Sequence, residues 1–335
     1  FPFVRSTGEE FTGIALANLS SGPADFDFEA RDGEGLLQPD LVENPAHFEL
    51  EGGAQLALLS REIFNGGSES EEGLSHSWIR ILASRPEIGS FLQTGNGMLS
   101  RQSRLDGAVA ITEPSTSLYF TRLYQGAEAF PVKSGPGALP AVTTLAMANP
   151  GNDPVQVRLK LYTAEGIQAG VEAILELEPQ GHASCSLEVL FPGEAENIGD
   201  GFVAAEATAG IVGFEFIELE DTCIGLNAAV PSFNRMLYSA QLACHATIDT
   251  SIKIVNPTGH RISFILNGFL VTNDESVAKI SSSWISLEPR HSFQMGAGEV
   301  FGLTLSGDRI IVGSLQLAAS EPGLVGDVVF GDPST

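Results

Sequence analysis

Chemistry at a protein site begins with a nucleophile, an acid–base pair or a set of metal ligands, and this chain offers each only in scattered form. Nucleophilic catalysis needs a Ser or Cys beside a His that an acid orients. The nearest approach to a strained Gly-x-Ser-x-Gly elbow is Gly73-Leu74-Ser75-His76-Ser77, which lacks the second glycine. The six histidines, His47, His76, His182, His245, His260 and His291, form neither HxH nor HExxH spacing. Each stands beside an expected turn or strand start, where a solvated imidazole is ordinary. Paired carboxylates for glycoside chemistry could be drawn from almost any two of 42 acidic residues, so they single out no site. No motif asks for a cofactor. Calcium is the one ion with a foothold: Glu218, Glu220 and Asp221, and separately Asp274 and Glu275, gather hard oxygen ligands without EF-hand spacing. Trp78 and Trp284 lie in apolar strand contexts and are expected at or near a core rather than as sugar platforms. The chain is therefore expected not to be an enzyme.

The elements that would position any such residue are far more legible, because they are written three times. A short apolar strand ends on Asn in Ile14-Ala15-Leu16-Ala17-Asn18, Leu145-Ala146-Met147-Ala148-Asn149 and Ile252-Lys253-Ile254-Val255-Asn256. Leu-Glu then precedes a Phe at one fixed distance, Leu50-Glu51 with Phe64, Leu177-Glu178 with Phe191 and Leu287-Glu288 with Phe301, the Leu-to-Phe separation being 14 in each copy. A repeat of this kind fixes architecture before any residue-level chemistry. Period-two alternation follows each Asn turn, clearest in Val155-Gln156-Val157-Arg158-Leu159-Lys160-Leu161, so one face of each strand is buried and the other wet. The positions eight beyond each Asn (Phe26, Val157, Phe264) and ten beyond (Phe28, Leu159, Leu266) are apolar in all copies and are expected in the core. Ser60–Phe64 and Leu187–Phe191 read as single helical turns closed by Gly. An Ile/Val-Gly pair marks the last hairpin of each copy: Ile88-Gly89, Val212-Gly213 and Val312-Gly313. Glu51, Glu178 and Glu288 recur at a strand end, which suits a fold role such as accepting turn N–H bonds.

About seven strands in roughly 100–120 residues is the scale of an immunoglobulin-like sandwich. The expected fold is all-β, three tandem immunoglobulin-like β-sandwich domains over residues 1–116, 117–235 and 236–335, joined by short apolar leader strands. Before the second and third copies the leaders are Leu118-Tyr119-Phe120-Thr121-Arg122-Leu123-Tyr124 and Leu237-Tyr238-Ser239-Ala240-Gln241-Leu242-Ala243; Phe1-Pro2-Phe3-Val4-Arg5 stands in the same place before the first. A flexible linker would be polar and rich in Gly and Ser. Apolar leaders are expected to pack, making Phe1, Phe3, Leu118, Tyr119, Leu237 and Tyr238 the expected joint between domains or subunits.

The net charge of −25 divides as −11, −10 and −4 over the three copies. Such a surface repels phosphate backbones and anionic lipid, which excludes nucleic-acid binding. No run approaches the roughly 20 apolar residues of a membrane span, so membrane insertion is not expected. Cys185, Cys223 and Cys244 allow one disulfide and one leftover thiol, and none recurs across copies. The N-terminus carries no signal peptide or initiator Met and reads as a processed end.

The blocks AMANPGNDPVQVRLKLYTAEG, LELEPQGHASCSLEVLFPG, GFVAAEA and IVGFEF resemble a tandem β-sandwich repeat of predicted secreted bacterial proteins, closest over residues 141–230. The first copy departs from that pattern at Leu19 and Gly52-Gly53, and the third lacks the Pro-Gly after Phe301. The resemblance implies an immunoglobulin-like fold and an extracellular address, and carries no catalytic residues. The expected function is a non-enzymatic extracellular structural or interaction protein, extending to a subunit of a head-to-tail filament whose N-terminal leader completes the last domain of the next subunit. Its expected partners are further copies of itself or another extracellular protein or polymer. The alternative is a cell-surface module that binds carbohydrate or another polymer.

Overall fold

The computed structural model describes residues 1–6, 10–65, 74, 77–96, 104–124, 141–195, 198, 200–218, 223–245, 248–271, 277–303 and 310–331. The acidic Gly/Ser-rich stretch 66–73 and the Ser-Gly-Pro-Gly stretch 134–137 lie outside them. The chain is all-β, and among the described residues every strand pairing is antiparallel.

The first repeat contributes β1 (Glu10–Asn18), β2 (Ala24–Arg31), β3 (Ala46–Leu50), β4 (Gln55–Leu59), the helical turn α1 (Ser60–Ile63), β5 (Trp78–Ala83), β6 (Ile88–Asn96) and β7 (Arg104–Val109). These build one sheet in the order β4-β1-β6-β7 and another in the order β3-β2-β5. Ile14 and Leu16 of the first sheet share a buried core with Phe26 and Phe28 of the second, closed by Ile63 and Phe64.

The second repeat runs β8 (Ser115–Phe120), β9 (Val142–Ala148), β10 (Val155–Tyr162), β11 (Gln168–Leu177), β12 (His182–Ser186), α2 (Leu187–Leu190), β13 (Phe202–Glu218) and β14 (Cys223–Asn227). Its 17-residue β13 serves both layers. The first half pairs β8 and β10, and the second half pairs β9 and β14. The third repeat holds β15 (Met236–Cys244), β16 (Asp249–Val255), β17 (Ile262–Val271), β18 (Val277–Ser281), β19 (Ile285–Leu287), β20 (Ser292–Gly296), α3 (Ala297–Val300), β21 (Ile311–Ala319) and β22 (Val325–Gly331). Here β15-β21-β17-β18 form one sheet and β20-β16-β22 the other. The six positions expected in the core are all buried.

Register corrects two expectations. Ala148 faces Val212 and Met147 faces Gly213; the same register recurs as Val255 with Val325 and Ile254 with Gly326. The third copy's Val-Gly pair is thus Val325-Gly326, not Val312-Gly313, because β21 and β22 divide between two sheets the work that β13 does alone; in the first copy Ile88-Gly89 sits one place off, with Gly89 facing Ala17 and Ser90 facing Leu16. The leaders, in turn, pair inside their own repeats. Phe120 of β8 faces Val203, Ser239 of β15 faces Leu315, and Phe1 exchanges two backbone bonds of 3.0 Å with Ile79 of β5. Leu118 falls in its own repeat's core, and Leu237 and Phe1, both half-buried, pack on theirs. Phe1, Leu118 and Leu237 are therefore not joint residues. An edge strand's open N–H and C=O groups are satisfied by the nearest sheet, which is their own.

The leaders are held by a device the sequence reading missed. Thr12, Thr143 and Thr250, each six residues before its Asn, are fully buried. Each hydroxyl accepts from a leader N–H (Arg5, Tyr124, Ala243) and donates to the same residue's C=O, at 2.7–2.9 Å. This bond pair aligns Arg5, Tyr124 and Ala243, and with them Phe3, Arg122 and Gln241 two residues earlier.

The three Asn side chains are also fully buried. Each Nδ2 donates to the carbonyl four residues on (Gly22, Asp153, His260) at 2.8 Å. It also donates to the Leu-Glu block, to Leu50 at 2.9 Å, Glu178 at 2.9 Å, and Leu287 and Glu288 at 3.0 Å. Each Oδ1 accepts the N–H two residues on, from Ser20, Gly151 and Thr258. The Leu-Glu block then turns back with a bond from Ala54, Gly181 or His291 N–H to the Glu carbonyl, 2.9–3.2 Å. The recurrent Glu does accept a turn N–H, through its backbone oxygen. The third residue of this turn has positive φ in every copy: Gly53 at 78°, Gln180 at 59° and Arg290 at 61°. With Pro179 and Pro289 ahead of it, the turn has the type II pattern.

Asn149→Ala strips a donor from the Asp153, Leu177 and Glu178 carbonyls and an acceptor from the Gly151 N–H. It is expected to lower the unfolding free energy by about 2–4 kcal/mol, read as a fall in urea midpoint at unchanged slope. A variant within about 0.5 kcal/mol of the parent would show that water replaces the amide.

Candidate functional site at the joints between repeats

A buried polar assembly lies where the second and third repeats meet. Arg122, in the segment after β8, is completely buried. Its Nε pairs with Asp327 of β22, Nη1 donates to Tyr124 Oη (3.1 Å) and Ser251 Oγ (2.9 Å), and Nη2 donates to the Ser251 carbonyl (2.8 Å). Thr121 Oγ1 takes the other Asp327 oxygen at 2.6 Å. The Arg122 N–H donates to the carboxylate of Glu215 at 3.2 Å, and Lys253 Nζ donates to the Asp200 carbonyl, which also accepts from Ser292 Oγ at 2.9 Å. Burial works against the Arg122 cation, but the charges of Asp327 and Tyr124 and their hydrogen bonds to it together outweigh that cost, so its proton is held more firmly than usual. Burial pushes the Glu215 carboxyl well above the ordinary range, with Asp327 adding to the rise. Burial also lowers Lys253 to about 8, opposed by the charge of Asp200. Around this cluster Tyr119, Tyr162 and Phe202 of the second repeat pack with Val255 and Val325 of the third.

The joint between the first and second repeats uses the same positions with different chemistry. Phe3, aligned with Arg122, stacks on Phe214 (ring centroids 5.7 Å) and Phe216 (4.7 Å) of β13. Phe214 faces Ala146 as Asp327 faces Lys253, so Phe214 and Asp327 are the same position in successive repeats. One leader residue meets one strand residue at each joint: Phe on Phe at the first, Arg on Asp at the second. Arg5 adds an ion pair to Glu218 at 2.6 Å and lies over the Phe216 ring at 5.4 Å.

A second contact also recurs. The turn Asp32–Gly35 after β2 and the turn Thr163–Gly166 after β10 close with matching bonds, Gly35 N–H to Asp32 (3.1 Å) and Gly166 N–H to Thr163 (3.0 Å). Each tip seats on the Leu-Glu turn of the next repeat. A Cβ on Gly35 (φ 81°) would lie 2.0 Å from the Pro179 carbonyl oxygen, and one on Gly166 (φ 74°) 2.8 Å from that of Arg290. Only glycine fits either place. Trp78 Nε1 donates to the Gln180 carbonyl at 2.8 Å, and Ser292 N–H to Ala164 at 2.9 Å.

Of the expected joint residues, Phe3 and Tyr119 lie at joints, whereas Tyr238 is 70% exposed. Of the calcium candidates, Glu218 is the partner of Arg5, and Glu220, Asp221, Asp274 and Glu275 lie outside the described residues. Among the described residues no three His, Cys, Asp or Glu side chains group as metal ligands. Trp78 is buried as expected. Trp284 is 63% exposed, because it lies between β18 and β19, outside any ladder. The three cysteines are free thiols. Among the described residues no helix is long and apolar enough to cross a membrane. Arg122, Glu215, Lys253 and Asp327 escaped sequence reading, yet two left a signal. Glu215 stands between Phe214 and Phe216, and Lys253 between Ile252 and Ile254, each a charge inside an apolar strand.

Arg122→Ala leaves Asp327 buried without its cation and is expected to cost about 3–5 kcal/mol in urea unfolding. Arg122→Phe combined with Asp327→Phe copies the first joint into the second and is expected to recover most of that loss. A double variant no more stable than the single would show that the two joints are not interchangeable. For Lys253, the unfolded chain holds the proton up to about pH 10.5 and the folded chain to about 8, so folding stability rises across that window. Lys253→Met is therefore expected to be more stable than the parent by about 1–3 kcal/mol at pH 7, the gap closing toward pH 10.5. Denaturation at pH 7, 9 and 10.5 checks it.

No protein-family model and no curated protein matches the chain. Among solved structures it is similar to the crystal structure of Thermotoga maritima 1070, at 14% identity over 34% of this chain and 93% of that one, with a TM-score of 0.27.

Proposed function

We propose that the chain is a non-enzymatic structural or interaction protein of three tandem immunoglobulin-like sandwiches, at residues 1–116, 117–235 and 236–335, locked end to end into a stiff unit. The observation that carries this reading is the pair of closely packed joints. At each, a leader residue and a glycine tip from one repeat are fixed into the next, with Arg122 wholly buried at the second joint. Beads on a flexible string do not bury a guanidinium between them, since a joint that opened would have to solvate and desolvate a charge each time. The buried polar side chains described above are bonded to backbone or to each other, in keeping with a scaffold role. The acidic surface and tandem β units support an extracellular or cell-surface location, which antibody labelling of intact producing cells checks.

A second reading rests on Trp284 and on Phe233, which is 96% exposed. Exposed rings of this kind suit stacking on sugar faces, so saccharide selectivity on a glycan array that disappears with Trp284→Ala would favour a carbohydrate-binding module.

Small-angle scattering of the whole chain tests the leading reading. A single stiff particle with one well-defined maximum dimension is expected. A profile that needs independently moving repeats would overturn it.

A further inference from the structure

The outward face of each repeat's β1-type sheet has a distinct fate. In the second repeat Ala146 and Ala148 are fully buried, and in the third so are Lys253 and Val255, each pair covered by the repeat before it. The same positions in the first repeat are Ala15 and Ala17. Ala15 is exposed. Opposite Ala15 stands Phe91, which occupies the place of Phe214 and Asp327 and is 43% exposed; Val109 on β7 is 60% exposed. A recess of about 260 Å³ opens over Phe11, Gly13, Ala15 and Phe91. Gly13 is not required by its own repeat, since an added Cβ would meet nothing nearer than 3.8 Å. A glycine within a strand often marks the close approach of another backbone.

The complementary surface is on the third repeat. Tyr238 aligns with Tyr119 and is 70% exposed; Gln241 aligns with Phe3 and Arg122 and is exposed. Its counterparts form both internal joints. We propose that the face around Ala15 and Phe91 is a docking surface for the third repeat of a second copy of this chain, in the geometry of the two internal joints. This rests on the reading of the repeats as like units stacked end to end. The contact is heterologous, so it propagates head to tail rather than closing as a twofold dimer. Its core residues carry no charge while each chain carries −25, so added salt strengthens it by screening repulsion between chains.

Sedimentation velocity of the full chain, up to about 0.5 mM and in low and high salt, is the test, that range covering the weak end of specific contacts. Mass is expected to grow with concentration and with salt. Ala15→Arg and Tyr238→Arg, each at an exposed position, are each expected to remain monomeric with unchanged melting. Mixed together they are expected to give dimers and nothing larger, because each variant keeps one good end. A parent chain that stays monomeric, variants that associate like the parent, or a mixture that stays monomeric would each overturn the proposal. A monomer that still scatters as one stiff particle removes this contact alone. Repeats that scatter as independent bodies remove the functional reading on which it rests.

Discussion

A buried primary amide holds each repeat to its plan. The side chains of Asn18, Asn149 and Asn256 have no access to water, so both amide hydrogens and the oxygen must find protein partners. They find them on two sequence-distant segments at once: the turn that follows the Asn, and the Leu-Glu block 28 to 32 residues on. An unmade bond at such a site costs more than a made one contributes, so the amide sets position more than it adds stability. It places the Leu-Glu turn, whose left-handed third residue is tolerated as Gln180 and Arg290 in two copies because the surrounding bonds over-determine it. The outer side of that same turn, in the second and third repeats, is the seat for a glycine tip from the preceding repeat. One interaction in the core thus fixes the geometry of the joint on the surface.

Much of this was legible because it is repeated. The Asn, the core positions eight and ten beyond it, and the Leu-Glu-to-Phe spacing survive comparison of the copies, since each does the same work three times. Thr12, Thr143 and Thr250 are equally constant, yet Thr is an ordinary strand former and its presence raised no question. The leaders were misread because an apolar edge segment has the same composition whether it pairs with its own sheet or a neighbour's. The pairing of Arg122 with Asp327 was hidden for the opposite reason. Comparing copies selects what is common, and a joint is where neighbouring copies must differ.

The difference at the joints has a physical consequence. Phe3 on Phe214 buries aromatic area and needs no partner beyond shape. Arg122 on Asp327 buries two charges, which is close to neutral for stability when both are present and severe when either is missing. The second joint surrounds the pair with Thr121, Tyr124 and Ser251, so that the remaining donors and lone pairs are used. Glu215 lies one residue from Phe214 in β13, in a place where the first repeat has Leu92 and the third Val328. It ties the first joint's strand to the second joint's arginine through the Arg122 N–H.

Like repeats in one chain invite wrong docking, since each offers the same sheet face and the same leader. Exchanging the partners here would set Phe3 against Asp327, stranding a buried carboxylate, or Arg122 against Phe214, stranding a buried guanidinium. Either mismatch forfeits several kcal/mol, far more than the difference between two correct joints. Changing one position from Phe to Asp, and its mate from Phe to Arg, therefore fixes the order of the repeats without altering the strand plan that carries them. Discrimination of this kind lies in the penalty for the wrong pair, which is why the most costly residues to bury sit at the joint and not in the core that all three copies share.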